Sequence, residues 1–274
     1  MSPHPIDAQH FAALYEKAFL ERAATYGEKD ARTLEAARNL GLFLIKERKR
    51  EAAETWLRRA LGIAQSLHKQ YSPEIATIQE ALAQAVTGDS ERQELHRQAA
   101  RCTDPAIAAS NLAKLAALQG DDATLLQQAL TKQEQATGPQ SAPVAARLND
   151  LGLALLNVKP AAAAALFRRA MAINERTLGP RHPETATTLN NLANSLGEPG
   201  PAEPLLRRAL AIFTATLGPG HERTGIATSN LAEAVAALGR DAESKRLYAQ
   251  AQGIFEKALG PHHPWTREAA QNAR

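Results

Sequence analysis

The segment LGPRHPETATTLNNLANSLG at residues 178–197 returns in altered form as LGPGHERTGIATSNLAEAVAALG at 217–239 and as LGPHHPWT at 259–266. Leu178, Leu217 and Leu259 mark the phase, 39 and then 42 residues apart. The match persists upstream. LYEKAFLERAATYGEKDART (14–33) lies 152 residues before LFRRAMAINERTLGPRHPET (166–185), with Ala18, Gly27 and Thr33 falling on Ala170, Gly179 and Thr185. A chain that repeats itself about every 40 residues does not build one central core. Each copy has a limited apolar face, and that face is buried by stacking on the next copy.

Each repeat reads as two helices. The first carries Asn-Leu followed by a small residue, as in Asn39-Leu40-Gly41, Asn111-Leu112-Ala113, Asn191-Leu192-Ala193 and Asn230-Leu231-Ala232, with Asp150-Leu151-Gly152 as a variant. The small residue lets a neighbouring helix approach closely. The second helix carries AETWLRRAL (53–61), AAALFRRAM (163–171) and AEPLLRRAL (202–210), in which two alanines seven residues apart share one face. Between pairs, LGPRHP is a complete stop-and-restart signal. Gly179 supplies a left-handed residue at C′, and Pro180 forbids continuation. His182 is driven out of the α region by Pro183, which itself suits the first helical position. His182 therefore sits at an N-cap, as do the aligned Asp30, Ser72, Asp104, His221 and His263.

These motifs resemble the tetratricopeptide repeat, in the 42-residue form of kinesin light chains and many bacterial proteins. The resemblance is carried by LGPRHPETATTLNNLANSL, AEPLLRRALAI and LGPGH. It covers almost the whole chain, strongly over 142–266 and more weakly over 73–137. It implies an all-α, right-handed superhelical solenoid of helix-turn-helix repeats with a concave groove. The expected organisation is one repeat domain over 1–274. A leading single helix (5–26) precedes helix pairs at 30–67, 73–101, 105–137, 142–177, 183–217 and 222–259, and a trailing cap helix (264–273) follows. Repeats within 73–137 carry polar residues such as Arg92 and His96 inside the packing pattern, so coupling between neighbours is expected to be weakest there.

Composition excludes several classes. The chain has 32 basic and 29 acidic residues, a balance that argues against nucleic-acid binding. No apolar run reaches the length of a membrane span, and the N-terminal residues lack a basic-then-apolar signal layout, so a soluble cytoplasmic protein is expected. The single cysteine, Cys102, rules out an internal disulfide framework. His182, His221 and His263 recur in register, but stacked repeats lie about 10 Å apart, whereas zinc bonds span about 2 Å. No metal is expected, and no cofactor. GEPGPAEP (197–204) is a shortened turn, not a phosphate loop, with Pro201 and Pro204 expected in the first turn of the following helix. The arginine pairs 58–59, 168–169 and 207–208 read as helix-stabilising ion-pair partners, with Glu54 and Glu203 at i−4. No catalytic constellation emerges, so the chain is read as a non-enzyme.

In the resembled family the first helix of each pair lines the groove. With the small residue counted as position 8, the groove positions are 2, 5, 6, 9 and 13. These positions nominate Asn39, Asn111, Lys114, Asn149, Asp150, Asn190, Asn191, Asn194, Asn230 and Glu233 as the binding face. Asparagine is a mediocre helix former, so its recurrence in mid-helix needs a reason. Its amide both donates and accepts, and a ladder of amides suits the main chain of an extended peptide. The competing reading is that these amides bond neighbouring repeats. The scattered bases Arg38, Lys46 and Lys114 argue against a carboxylate clamp, and Asp150 and Glu233 favour a neutral or basic segment. The expected function is a protein- or peptide-binding scaffold of unspecified oligomeric state. A peptide-responsive regulatory sensor is the alternative, and an enzyme the more distant one.

Overall fold

The computed structural model describes residues 8–274. Those residues form fourteen α-helices and no strand. The chain is an all-α helical repeat solenoid. Its contacts divide it into two compact units, residues 1–136 and 137–274. The leading helix expected over 5–26 is seen as α1 (Ala8–Tyr26); residues 5–7 lie outside the described residues.

The first unit continues with α2 (Ala31–Lys46), α3 (Arg50–Leu67), α4 (Pro73–Ala85), α5 (Asp89–Ala99) and α6 (Pro105–Leu118), and α7 (Ala123–Thr137) closes it. From α1 to α6 each helix packs on its chain neighbours, and α2, α4 and α6 also touch in series. Phe19, Leu34, Ala37, Ala60 and Ile63 fill one layer; Leu40, Leu57, Leu82 and Leu95 fill the next. The second unit holds α8 (Ala142–Leu155), α9 (Pro160–Thr177), α10 (Pro183–Ser195), α11 (Pro199–Leu217), α12 (Glu222–Ala237), α13 (Asp241–Leu259) and α14 (Pro264–Asn272). Here α8, α10 and α12 touch in series. Phe167 and Leu192, Leu189 and Phe213, Leu206 and Leu231, and Tyr248 and Phe255 mark successive layers.

The small residue after each Asn-Leu is a packing requirement. A Cβ on Gly41 would lie 2.6 Å from Leu57 Cγ, and one on Gly152 would lie 2.6 Å from Phe167 Cε1. Both large side chains belong to the second helix of the same pair and are fully buried.

The inter-pair turn uses a latch that periodicity alone does not reveal. Thr33, Thr185, Thr224 and Thr266 donate their hydroxyls to the carbonyls of Gly27, Gly179, Gly218 and Gly260 over 2.8, 2.9, 2.8 and 2.9 Å. All four threonines are buried. The glycines have φ of 94, 101, 94 and 92°. At Gly218 and Gly260 ψ is 159° and 165°, so these residues are not left-handed helical, as the C′ reading expects. They occupy an extended region at positive φ that is essentially glycine-only. That geometry turns the carbonyl toward the threonine of the next helix.

The N-caps are where the spacing places them. His182, His221 and His263 accept through Nδ1 from the backbone N–H two residues on, at 3.1, 3.1 and 3.3 Å. Asp30 and Asp104 do the same through carboxylate oxygens, and Ser72 caps Ile75. One helix start differs from expectation. Helix α11 begins at Pro199, which takes the first position, so Pro204 falls inside the helix instead of in its first turn. Its missing N–H leaves the Gly200 carbonyl without a helical donor.

Candidate functional site

The predicted binding face divides between the two units. In the first, Asn39 is half-buried on α2, and no side-chain hydrogen bond to the described residues involves it. Asn111 is the clearest departure from expectation. The sequence puts it on the groove, but the structure buries it completely. Its Nδ2 donates to the Ile107 carbonyl at 3.0 Å, and its Oδ1 lies 2.8 Å from His96 Nδ1. A carbonyl oxygen only accepts, so His96 is the donor. Asn111 is therefore spent on packing α6 against α5. Helix α5 has 11 residues where α3 has 18, and it presents a histidine where longer second helices present an apolar side chain. The amide satisfies that buried ring. Burial holds the His96 imidazole below its ordinary pKa, opposed by the Asn111 hydrogen bond and helped by nearby Lys114. Lys114 also departs from the predicted role, because its ammonium is paired with Glu80 of α4.

In the second unit the amides fall into two groups. Asn149 of α8 donates to the Ala145 carbonyl at 3.2 Å and to Thr188 Oγ1 of α10 at 2.9 Å. Thr188 also accepts from Asn174 of α9 at 3.1 Å and donates to the Glu184 carbonyl at 2.9 Å, so one hydroxyl ties three helices. Asn149 Oδ1 and Arg147 Nε are buried without a hydrogen-bond partner among the described residues. Asp150 is paired with Arg147 one turn back, at 3.0 Å. Asn190 is mostly buried, and its Oδ1 accepts from Asn230 Nδ2 at 2.9 Å, joining α10 to α12. These bonds are the inter-repeat role that sequence reading set against peptide contact.

Asn191 and Asn194 form the second group. Asn191 is half-exposed, Asn194 is exposed, and no side-chain hydrogen bond to the described residues involves either. Asn194, Asn230 and Glu233 line a hollow of about 270 Å³ between α10, α11 and α12. Asn230 and Glu233 also line a second hollow of about 240 Å³ beside α13 and α14. Asn194, Asn230 and Glu233 thus mark a polar strip that links the two hollows, with Asn190 bonded to Asn230 and Asn191 three residues before Asn194 on α10.

Sequence reasoning missed three contributors. Asn174 lies on a second helix, outside the groove positions. Thr188 is hidden because a hydroxyl in mid-helix is not distinctive in sequence. Asn272 was legible, since it lies 42 residues after Asn230 and so takes its place in the repeat on α14. Of the outer arginines, Arg58 and Arg207 form the i−4 pairs that their spacing suggests and also bridge repeats, whereas Arg59 and Arg208 pair with Glu28 and Glu175 of preceding repeats. Arg58 contacts Glu54 and Glu91, and Arg207 contacts Glu203 and Glu243. Arg240 contacts the same two glutamates as Arg207, which closes a four-charge ring between α11 and α13. Cys102 is buried, and that burial pushes its thiol pKa up.

Family models described as Tetratricopeptide repeat match residues 33–74, 159–215 and 195–257, just over half of the chain. The chain belongs to the tetratricopeptide repeat family. The repeat fold recurs in solved structures of low identity. The C-terminal part of a TPR repeat-containing protein from Cytophaga hutchinsonii is 12% identical with a TM-score of 0.58, covering 97% of this chain and 98% of that one. A pilF structure from Pseudomonas aeruginosa is 18% identical with a TM-score of 0.56, covering 87% and 96%. BtubC (BKLC) from P. vanneervenii is 20% identical with a TM-score of 0.48, covering 95% of each chain. No curated protein sequence matches the chain. Tetratricopeptide repeats generally mediate protein–protein interaction, and such scaffolds are typically non-enzymatic. Among the described residues no group of three or more His, Cys, Asp or Glu side chains is placed to hold a metal ion. Among them, too, no helix is long and apolar enough to cross a membrane.

Proposed function

We propose that this tetratricopeptide repeat protein holds an extended, neutral-to-basic protein segment along the first-helix face of its second unit. The observation that carries the reading is the division of the asparagines. Asn149, Asn190 and Asn230 are bonded between helices, whereas Asn191 and Asn194 keep their amides unbonded beside them. Asparagine costs helix stability at every mid-helix position. At the bonded positions packing offsets that cost, and at Asn191 nothing within the unit does; Asn194, in the last turn of α10, adds a second unbonded amide three residues on. A main-chain ligand would offset it, because each amide can donate to a carbonyl and accept from an N–H. The Asn190–Asn230 bond holds Asn230 in place with its Oδ1 still able to accept. Glu233, which no cation of the described residues pairs, gives the face its acidic bias, whereas Asp150 is answered by Arg147.

The test uses peptides selected by display against the intact protein, synthesised and titrated by calorimetry into wild type and Asn191→Ala/Asn194→Ala. Two hydrogen bonds at about 0.5–1.5 kcal/mol each predict a loss of roughly 5- to 150-fold. The melting temperature should hold or rise. Unchanged affinity for every selected peptide would remove the groove reading.

A further inference from the structure

The hollow beside α13 and α14 has a chemistry that the amide strip lacks. Its volume of about 240 Å³ is below the roughly 300–1,000 Å³ of small-molecule sites and suits a single side chain. Glu233 of α12 and Glu268 of α14 both line it. No Lys, Arg or His of the described residues forms an ion pair with either carboxylate. Glu203 and Glu243, on the outer ring, show what this chain does elsewhere when it places two carboxylates near each other: it inserts two arginines.

The wall between the two carboxylates is aromatic. Tyr248 is 9% exposed, and Trp265 is 39% exposed, with its ring 5.7 Å from Phe255. Burial pushes the Tyr248 phenol pKa up, and Glu233 and Glu268 push it further in the same direction, opposed by a hydrogen bond with Asn272. Both carboxylates therefore act on one hydroxyl from opposite helices. Asn230 and Asn272, one repeat apart, complete the polar lining. An anion would be repelled here, and a neutral amide would leave both charges unanswered. A cation is drawn by two carboxylates and by the face of an exposed indole.

We propose that this hollow is a recognition pocket for one cationic side chain, lysine or arginine, of a protein segment bound along the second unit. The assignment to a bound segment rests on the groove reading, whereas the cation preference rests on the pocket alone. The hollow opens beside Asn230, which also belongs to the amide strip, so a main chain held by the strip can deliver a side chain into it.

The probes are N-acetyl-arginine methylamide, N-acetyl-lysine methylamide and N-acetyl-glutamine methylamide. Each is titrated into the intact protein while the indole N–H resonances of Trp56 and Trp265 are followed by NMR. A saturable shift at Trp265, absent at Trp56, is expected with the arginine or lysine compound and not with the glutamine compound. Glu233→Gln/Glu268→Gln should weaken that binding by about 2- to 30-fold, the range for two exposed ion pairs. Its melting temperature should hold, since neither carboxylate is ion-paired within the protein. An equal shift with the glutamine compound, retained binding in the double variant, or no saturable shift would each overturn the pocket. A positive titration with no effect of Asn191→Ala/Asn194→Ala on peptide binding would overturn the groove and leave the cation pocket standing. Loss of peptide binding in that variant with no titration at Trp265 would do the reverse.

Discussion

The bond between Asn190 and Asn230 makes a prediction about sign as well as size. An exposed, unbonded asparagine in a helix is destabilising relative to alanine, so replacing it should gain up to about 0.7 kcal/mol. Asn194→Ala is that case. Asn230→Ala is different, because its Nδ2 donates over 2.9 Å to Asn190 Oδ1. Asn190 is only 7% exposed, so water cannot replace the lost donor fully. Removing one partner of a buried bond costs about 1–3 kcal/mol, and the better helix propensity of alanine returns a fraction of that. Asn230→Ala should therefore destabilise the second unit by about 1 kcal/mol, a fall of roughly 3 °C in melting temperature for a unit of this size. The double variant Asn190→Ala/Asn230→Ala leaves no orphan, so it should be less destabilised than the sum of the single changes, with a coupling of about 0.5–1.5 kcal/mol. The assay is urea unfolding of the four proteins of the cycle, with Asn194→Ala alongside, followed by circular dichroism. Strict additivity, or stabilisation by Asn230→Ala equal to that of Asn194→Ala, would show that the amide pair does not couple the repeats.

Three further outcomes follow from the packing. Thr224→Val keeps the shape of the side chain and removes the 2.8 Å latch to the Gly218 carbonyl; it should cost about 1–2 kcal/mol in thermal or urea unfolding, and an unchanged midpoint would mean that the latch adds nothing to the turn. Gly152→Val should cost about 1–3 kcal/mol because Phe167 occupies the space of its side chain, whereas Gly253→Ala, whose Cβ meets nothing within 4 Å, should stabilise by about 1 kcal/mol; equal effects in urea titrations would contradict the close approach of α8 and α9. His96 has a lowered pKa in the folded state, so below about pH 6.5 the unfolded chain binds the proton first; stability of the first unit should be flat above that pH and fall below it, and His96→Gln should lose that part of the slope in melts between pH 5 and pH 8 by about one proton.

The sequence by itself determined the repeat, the pairing of helices and the places where they start. These are local matters. Gly, Pro and the capping residues act within a few positions of themselves, so His182 and Asp104 at their N-caps were legible before any packing was known. The requirement for a small residue at Gly41 and Gly152 was legible too, because the same position recurs in every copy. Tertiary structure decided what each asparagine does. Asn111 and Asn191 occupy the same repeat position, yet one is buried against His96 and the other keeps a free amide. The difference arises from the helix packed behind each, and a buried imidazole needs a partner that an apolar neighbour does not. The cation pocket is likewise tertiary, since Glu233, Tyr248 and Glu268 lie on three helices and only their packing brings two carboxylates to one aromatic wall.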